Sequence, residues 1–357
     1  MQVINVKSAL RDYQVHITET TDFIRDLGNI KERLYVIDSN VWEIYREQIF
    51  RGIDPSKVMV LPIHEDRKNL YTVMEVYDEL MSRAAKRNMT LISIGGGIVQ
   101  DITGFAASTL YRGLNWLYVP TTLLAQADSC IGSKTSLNYK NYKNLVGTFF
   151  PPNSIYLHPS FLKTLRDEDF YSGLGEVIKL HLIGGADHVK SLLARIDQVR
   201  ERQPNALLDA ISGSLNVKLG FLDDEFDRGK RNFLNFGHCF GHALEATSNF
   251  AIPHGQAVMT GMVFANIVAK NRRFMSKNFF AELNEKILLD NIVSRPTQDH
   301  LNMEHIYSAM KMDKKRIGDG LTLIMQGDGY KMTKITDLFH PELEKSIDEL
   351  KEVIGVI

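Results

Sequence analysis

Two histidines spaced four residues apart are the feature of this sequence most specific to chemistry. His238 and His242 stand in the stretch NFGHCFGH, and on a helix this spacing places both imidazoles on one face, a geometry that zinc and other divalent metals use. A third ligand is then required. His254 in PHG is one candidate, and Glu176 in GLGEVIKLH is another, which would supply a carboxylate from a separate helix. The residues alone leave this choice open.

A run of three glycines follows an apolar segment that is typical of a buried strand. Gly95, Gly96 and Gly97 precede Asp101 and Gly104 on the next helix, so the backbone there can approach a diphosphate that faces the helix N-terminus. The spacing differs from the GxGxxG dinucleotide fingerprint, so a simple Rossmann dehydrogenase is not predicted. The alternative is a tight turn that only lets helix and sheet pack closely.

The stretch DSCIGSKTSLNYKNYKN, residues 128–144, gathers lysines and short polar side chains around a glycine. It contains Asp128, Lys134, Asn138, Lys140, Lys143 and Asn144. Amides and carboxylates bind hydroxyls, and ammonium groups neutralise phosphate, so this composition suits a phosphorylated polyol. The alternative is a solvated basic loop.

The remaining histidines and the cysteines indicate structural positions. His158, His181 and His188 have no comparable neighbours in the sequence, and Cys130 is interpreted as a small buried residue. Only one other cysteine, Cys239, is present. A single pair in 357 residues is not a disulfide framework, and it favours a reducing cytoplasm.

Charge and hydropathy exclude two classes of partner. The net charge of -1 provides no long-range field that would attract nucleic acid or an anionic membrane. No apolar run approaches the ~18 residues that a membrane span needs, and no export signal is evident. We therefore expect a cytoplasmic protein that acts on a small molecule.

The elements that position the glycine run alternate between strand and helix. Apolar segments at Leu34–Val36, Lys57–Pro62 and Thr90–Ile94 are followed by helical patterns at Val41–Phe50 and Leu70–Lys86 and by the glycines. This alternation predicts βαβ units and a mostly parallel, Rossmann-like sheet with ligands at the carboxyl ends of its strands.

Helical periodicity dominates the second half of the chain. The helical segments are Gly175–Ile183, Val189–Arg202, Leu207–Leu222 and Ala257–Val268, with a short strand at Tyr330–Lys334 and a closing helix at Pro341–Val356. We therefore predict an α/β domain over residues 1–168 and an all-α domain over residues 169–357. The histidine motifs lie in the second domain and the glycines in the first.

Taken in order, several motifs resemble those of 3-dehydroquinate synthase and its sugar-phosphate cyclase relatives. They are GGGIVQDITGFAASTLYRG, VPTTLLAQADS, GSKTSLN, YKNLVGTF, GLGEVIK and LNFGHCFGHALE with PHGQAV. The resemblance runs from about Leu34 to Leu323 and includes EDRKNL and the DKK near Asp313. It implies a dehydroquinate synthase-like fold in which substrate lies between an NAD-binding domain and a metal-binding domain.

The resemblance also implies a set of cofactor ligands. Zinc, or cobalt, would be bound by Glu176, His238 and His254, and His242 would face the substrate phosphate instead. NAD would be bound by Asp38, Glu65 and Lys68 at the adenosine end, by Gly95, Gly96, Gly97 and Asp101 at the diphosphate, and by Thr121, Thr122, Leu124, Lys143 and Thr164 nearby.

Substrate contacts follow from the same resemblance. They are Asp128, Lys134, Lys143, Asn144, Lys179, Lys218, Arg231, Asn235, His242 and one or both of Lys314 and Lys315. Arg112 resembles a residue that reaches the phosphate of the neighbouring subunit, so a homodimer is implied.

The implied reaction is phosphate elimination with transient oxidation. NAD removes a hydride from a metal-polarised alcohol, phosphate leaves, the hydride returns, and the opened sugar closes by an intramolecular aldol step. Lys218 and Arg231 favour a carboxylated heptulosonate 7-phosphate, because buried cations need an anion. The alternatives are a cyclase for sedoheptulose 7-phosphate or glucose 6-phosphate, a polyol dehydrogenase similar to glycerol dehydrogenase, and an inactive relative retained for binding.

Four features depart from the family pattern. Ser133 stands where a second glycine is usual, Gly175 where alanine is usual, and Gln256 where glutamate is common. The interval from Lys218 to His238 is one residue shorter than usual. Gln256 removes a negative charge near the metal, and we expect this to alter the orientation of His254.

Overall fold

The computed structural model describes residues 2–140, 142–224, 229–312 and 320–356. The predicted substrate residues Lys314 and Lys315 lie outside these ranges. The chain divides into two compact units, Met1–Leu165 and Arg166–Ile357. Within the described ranges, no helix combines the length and the apolar character needed to cross a membrane.

Unit 1 is built on a seven-stranded sheet. Its strands are β1 (Gln2–Val6), β2 (Tyr13–Ile17), β3 (Arg33–Asp38), β4 (Val58–Leu61), β5 (Thr90–Gly95), β6 (Asn115–Pro120) and β9 (Ser154–Leu157), and a separate hairpin contains β7 (Lys134–Tyr139) and β8 (Tyr142–Phe149). The order is β1-β2-β9-β6-β5-β3-β4. Only the β1–β2 pair of this sheet is antiparallel, so the predicted parallel sheet is confirmed.

The helices of unit 1 connect the parallel strands. They are α1 (Phe23–Gly28), α2 (Ser39–Tyr45), α3 (Leu70–Ser82) and α4 (Gly97–Thr109). β3 and β5 pair in parallel and are buried along most of their length, as expected of strands covered on both faces. Their carboxyl ends therefore meet at one edge, where Asp38 ends β3 and Gly95 ends β5.

Unit 2 is helical except for one antiparallel hairpin in its described part. Its helices are α5 (Asp167–Gly184), α6 (Ala186–Leu193), α7 (Ile196–Arg200), α8 (Pro204–Leu219), α9 (His238–Thr247), α10 (His254–Asn271), α11 (Lys277–Leu283), α12 (Met303–Lys311) and α13 (His340–Ile354), and the hairpin pairs β10 (Leu321–Gly327) with β11 (Lys331–Leu338). The helix predicted over Val189–Arg202 is divided between α6 and α7.

Glycines allow α5 and α9 to lie directly against α10. A Cβ on Gly255 would overlap the carbonyl oxygen of Ser172, and a Cβ on Gly175 would overlap that of Gly255. On the α9 side, a Cβ on Gly261 would overlap the carbonyl oxygen of Gly237. Backbones can approach this closely only where side chains are absent. The start of α10 is therefore fixed close to both neighbouring helices.

Burial of His181 on α5 gives unit 2 a testable acid sensitivity. Its side chain is buried, Nδ1–H donates to the Val177 carbonyl oxygen at 2.8 Å, and burial lowers its pKa from 6.5 to about 4. The unfolded chain therefore binds this proton more readily. Above pH 6.5, neutral His181 makes its full contribution to the free energy of unfolding. This contribution is lost as the pH falls towards 4, by up to about 3 kcal/mol.

We expect His181→Gln, which keeps a donor but cannot be protonated, to lose less stability than the unmodified protein between pH 7 and pH 5. Urea unfolding at both pH values measures the difference. His305→Gln is the control, because His305 is exposed, and it should follow the unmodified protein. Equal acid sensitivity of His181→Gln and the unmodified protein would contradict the prediction.

Candidate metal centre and cofactor site

Two histidines from two helices of unit 2 converge on the carboxylate of Glu176, which lies on a third helix. Glu176 lies on α5 and is 1% exposed. Its Oε1 is 3.6 Å from Nε2 of His238, the first residue of α9, and 3.4 Å from Nε2 of His254, the first residue of α10. The glycine contacts of α10 place these helix ends within reach of Glu176.

Both histidines use the other ring nitrogen for a supporting hydrogen bond. His238 Nδ1 lies 3.2 Å from the Phe236 carbonyl oxygen, and His254 Nδ1 lies 3.0 Å from Oε2 of Glu245. Since carbonyl and carboxylate oxygens only accept, each Nδ1 carries the proton, and each Nε2 is directed at Glu176. Two imidazoles and one carboxylate form a donor set that suits zinc with an open fourth position.

His242 lies next to this cluster, four residues after His238 on α9. The ligand atoms of His238, His242 and His254 lie within 4.8 Å of one another, so a triad of histidines is also geometrically possible. Glu176 adds the negative charge that favours a cation, and it lies within 3.6 Å of both rings. The geometry therefore supports Glu176 as third ligand, with His242 on the rim of the site.

The charges around Glu176 set the protonation of the two histidines. Lys179 forms an ion pair with Oε2 of Glu176. Burial, together with Lys179 and His242, lowers the pKa of His238 well below its ordinary value. Burial also disfavours protonated His254, but the nearby carboxylates of Glu176 and Glu245 outweigh it and raise the pKa to about 10. The two carboxylates thus attract positive charge to His254, as they would attract a metal cation.

Further cations of unit 2 are buried on elements that pack against α5. Lys218 in the last turn of α8 is 7% exposed, and Arg231 is 4% exposed. Oδ2 of Asp224 accepts from the backbone N–H groups of Gly229 and Arg231, which fixes the chain before α9. Asn235 donates to the carbonyl oxygen of Asn232. Lys218 and Arg231 are thus buried in unit 2, and Asn235 is held by its bond to Asn232.

In unit 1, the glycine run lies against the segment that follows β6. The Thr121 N–H donates to the Gly95 carbonyl oxygen at 3.0 Å, and a Cβ on Gly96 would meet the methyl group of Thr122 at 3.0 Å. Gly97 begins α4, a helix of 13 residues. Because the glycines have no side chains, they leave this helix start open. A diphosphate is the ligand expected there.

Two other predicted NAD residues make local hydrogen bonds within unit 1. Asp38 caps α2 by accepting from the Asn40 N–H at 2.8 Å, and its Cβ would lie 3.3 Å from a Cβ on Gly95. Thr164 Oγ1 lies 2.6 Å from the hydroxyl of Tyr45. The structure therefore brings Asp38 next to the glycine run, and it places Thr164 beside the last residue of α2.

A polar network connects the β7–β8 hairpin with α4. Lys68 Nζ lies 2.5 Å from Asp101 Oδ2 and 2.7 Å from Asn144 Oδ1. Ser136 donates through its N–H to Asp101 at 2.9 Å. Burial raises the pKa of Asp101, and Lys68 acts in the opposite direction. Lys68, which the resemblance assigned to the adenosine end of NAD, thus lies in direct contact with Asp101, which it assigned to the diphosphate.

Glu65 extends this network at the hairpin. Asn138 Nδ2 donates to Glu65 Oε1 at 2.9 Å, and Lys143 Nζ lies 3.8 Å from the same oxygen. In the described part of the lysine-rich stretch, Asn138, Lys143 and Asn144 thus contact Glu65 and Lys68. The alternative of a solvated loop does not describe these three residues.

The other predicted residues of unit 1 lie on exposed or half-buried turns and strand ends. Leu124 precedes a turn of π-helix, Ala125–Ser129, that contains half-buried Asp128, and exposed Lys134 begins β7. Arg112 is exposed and has φ of 61°, directly after Tyr111 with φ of 52°. These residues are thus accessible from solvent to different degrees.

Comparison with known proteins identifies the family. Residues 58–172 match the family described as 3-dehydroquinate synthase N-terminal, and residues 173–316 match 3-dehydroquinate synthase C-terminal. The chain belongs to the 3-dehydroquinate synthase family. It is 34% identical over 331 residues to a 3-dehydroquinate synthase of Dehalococcoides mccartyi, which covers 90% of this chain and 91% of that protein. The resemblance seen in the sequence is confirmed.

Two further relatives extend the comparison. A 3-dehydroquinate synthase of Clostridium tetani is 35% identical over 321 residues, covering 89% of this chain and 85% of that protein. The solved structure of a 2-epi-5-epi-valiolone synthase from Streptomyces hygroscopicus, with NAD+ and Zn2+ bound, has a TM-score of 0.82 at 24% identity. The match covers 97% of this chain and 99% of that chain. This second likeness shows the shared fold.

Glu245 is a residue of this 3-dehydroquinate synthase family member that the sequence analysis missed. It lies seven residues after His238 on α9, so residues 238, 242 and 245 share one helix face. This periodicity in GHCFGHALE is the signal that would have found it. Glu245 binds His254 at Nδ1, a contact that the sequence analysis associated with position 256.

Gln256 does not orient His254 in this member of the family, so that expectation is wrong. Its Nε2 donates to the carbonyl oxygens of Tyr171 and Asn291, and its Oε1 accepts from the N–H groups of Val293 and Ser294. The side chain is fully buried. It faces the 291–294 segment, which it ties to the start of α5.

Gln256→Glu should therefore destabilise this protein of the 3-dehydroquinate synthase family. A carboxylate would face two carbonyl oxygens without a donor, at a cost of about 2 kcal/mol or more at pH 8. Because the new carboxyl would have a raised folded-state pKa, the deficit should shrink as the pH falls towards 5. Urea unfolding at both pH values measures this, and unchanged stability at pH 8 would contradict it.

The structure bears on two other departures from the 3-dehydroquinate synthase pattern. Ser133 has φ of 64°, a left-handed conformation that favours glycine, so the structure explains the usual glycine and not the serine. At Gly175, alanine would overlap the Gly255 carbonyl oxygen, so this chain uses glycine for a closer contact between α5 and α10.

Proposed function

We propose that this chain is a 3-dehydroquinate synthase, which converts the heptulosonate 7-phosphate DAHP to 3-dehydroquinate and releases phosphate, with NAD and zinc as cofactors. The convergence of Glu176, His238 and His254 carries the proposal. Family membership supports the reaction type, a phosphate-eliminating lyase. The bound NAD+ and Zn2+ of the valiolone synthase support the choice of cofactors.

Glu176, His238 and His254 would bind the metal, which can be zinc or cobalt. When bound, the metal and NAD supply Lewis-acid polarisation of a secondary alcohol and reversible removal of its hydride. Lys179 holds the carboxylate of Glu176 through its ion pair with Oε2, while both histidines lie nearest to Oε1. His242, on the same face of α9 as His238, would bind the phosphate that leaves.

Lys218 and Arg231 would select the substrate by charge. Both are buried in unit 2, and a buried cation is stabilised by an anion such as the carboxylate of a heptulosonate. Asn235, between Arg231 and His238 along the chain, provides an amide for a hydroxyl group. In the same proposal Asp128, Lys134, Lys143 and Asn144 of unit 1 contribute to substrate binding.

Unit 1 would bind NAD at the carboxyl edge of its sheet. In this proposal the start of α4 and the glycines would bind the diphosphate and Asp38 would bind a ribose. Further contacts would come from Thr121, Thr122, Leu124 and Thr164. The network of Glu65, Lys68, Asp101 and Lys143 holds the hairpin that would cover the cofactor. Its many mutual contacts make this part of the site preorganised.

Three finer features belong to the proposal. Arg112, exposed on its left-handed turn, would reach the phosphate of the neighbouring subunit in a homodimer. The reaction would serve the shikimate pathway of aromatic amino acid biosynthesis. A cytoplasmic location is supported by the two free cysteines.

The test is a substrate panel with the zinc-loaded protein and NAD. We expect phosphate release from DAHP with no net change in absorbance at 340 nm, because NAD is regenerated in each turnover. Phosphate release from sedoheptulose 7-phosphate or glucose 6-phosphate alone would instead identify a divergent cyclase. Accumulation of NADH with glycerol and no phosphate release would identify a polyol dehydrogenase.

A further inference from the structure

The carboxylate of Glu245 lies behind the imidazole of His254, on the side away from Glu176. Its Oε2 is 3.0 Å from Nδ1, whereas Oε1 of Glu176 is 3.4 Å from Nε2. The side chain of Glu245 is 10% exposed. The ring of His254 is therefore held between two carboxylates, one at each nitrogen, and only Glu176 is on the side of His238.

We propose that Glu245 is a positioning residue for the metal centre, which fixes the tautomer and orientation of His254 and increases the basicity of its Nε2. This inference rests on the proposed metal site. A carboxylate accepts the Nδ1 proton and leaves the Nε2 lone pair for the metal. Glu245 is placed to act through His254, because the imidazole ring lies between it and Glu176.

The two histidines of the site differ in their support. His238 donates from Nδ1 to a neutral carbonyl oxygen, that of Phe236, at 3.2 Å, whereas His254 donates to a charged carboxylate at 3.0 Å. A hydrogen bond to a charged acceptor is the stronger one. His254 is therefore the more strongly donating ligand of the two, and loss of Glu245 affects one ligand only.

Glu245 also contributes to the charge balance of the site. Glu176 and Glu245 each bring a negative charge, while Lys179 neutralises part of it through its ion pair with Glu176. Without Glu245, the carboxylate of Glu176 would be opposed by the ammonium of Lys179, so the negative charge that these three residues present to a divalent cation would be lost. Cation affinity should therefore depend on Glu245 although it is not a ligand.

Two substitutions separate orientation from charge. In Glu245→Gln the amide oxygen still accepts the Nδ1 proton but the negative charge is lost, and in Glu245→Ala both are lost. We expect zinc binding to the metal-free protein, measured against a competing chelator, to weaken about 10- to 100-fold in Glu245→Gln and further in Glu245→Ala. The visible absorption bands of the cobalt-loaded protein should shift in both variants, a signature that general destabilisation does not produce.

Glu349→Gln is the matched control. Glu349 is also a partly buried carboxylate of unit 2, bound to Lys270 and Asn271, but it is not in contact with the histidines. Its substitution should leave zinc affinity and the cobalt spectrum unchanged. If Glu245→Ala fails to fold, Glu245→Gln and its cobalt spectrum decide the question.

The outcomes distinguish this inference from the proposed function. Zinc affinity within threefold of the unmodified protein in Glu245→Gln, with an unchanged cobalt spectrum, would overturn the role of Glu245 and leave the metal site intact. Absence of zinc binding to the unmodified protein would instead overturn the proposed metal site itself.

Discussion

Glu176→Gln should bind zinc at least about a hundredfold more weakly than the unmodified protein and should lose nearly all turnover. The amide keeps the shape of the side chain but removes the negative charge that both histidines face. It also leaves the buried ammonium of Lys179 without its anion, which costs about 3 to 5 kcal/mol of stability. Metal content, phosphate release and thermal unfolding measure the three effects.

The double variant Glu176→Gln with Lys179→Met separates metal loss from instability. Removing the ammonium should restore much of the stability, because no buried charge remains unpaired, but it should not restore zinc binding. His242→Asn is the companion control and should retain zinc while turnover falls. Full zinc content in Glu176→Gln, with zinc lost in His242→Asn, would show that the three histidines bind the metal instead.

Gly255→Ala should destabilise unit 2 by about 3 kcal/mol or more and weaken metal binding together with it. The added methyl group would overlap the backbone carbonyl of Ser172, and a backbone atom cannot rotate away as a side chain can. α5 and α10 would have to separate, which moves Glu176 away from His254. Urea unfolding and zinc titration of the same preparations measure both effects.

Substitutions at two other glycines serve as comparisons for Gly255→Ala. Gly28→Ala, at the end of α1, adds a methyl group with no atom within 4 Å, and its stability should stay within about 1 kcal/mol of the unmodified protein. Gly175→Ala meets the Gly255 carbonyl oxygen and should resemble Gly255→Ala. A Gly255→Ala protein with unchanged stability and unchanged zinc affinity would contradict the proposed role of the close helix contact.

The parallel sheet and the helical second unit could be predicted because their signals are local. Buried strands such as Thr90–Gly95 are continuous apolar runs in the sequence. Long helices such as His254–Asn271 are marked by a helical repeat or by an apolar stretch too long for a strand. The hairpin formed by β7 and β8 was not predicted, because most residues of its two strands are polar or exposed and few are large and buried. Its order comes from contacts with Lys68 and Asp101, which are distant in sequence.

The candidate site could be predicted only in part for a similar reason. The spacing of His238 and His242 is local and indicates one helix face. The choice of Glu176 depends on how α5 lies against α10, and this follows from glycines that no periodicity singles out. The direction of Gln256 depends on the carbonyl groups of Tyr171 and Asn291, so the sequence could not exclude a contact with His254.

The three converging side chains at positions 176, 238 and 254 belong to helices that are separated by long stretches of chain. During synthesis, a growing polypeptide cannot complete this constellation until residue 254 has left the ribosome and its helix has docked. Ion capture is therefore a late event in maturation. A chelator present during refolding should block loading far more effectively than the same chelator added to the finished, already loaded molecule.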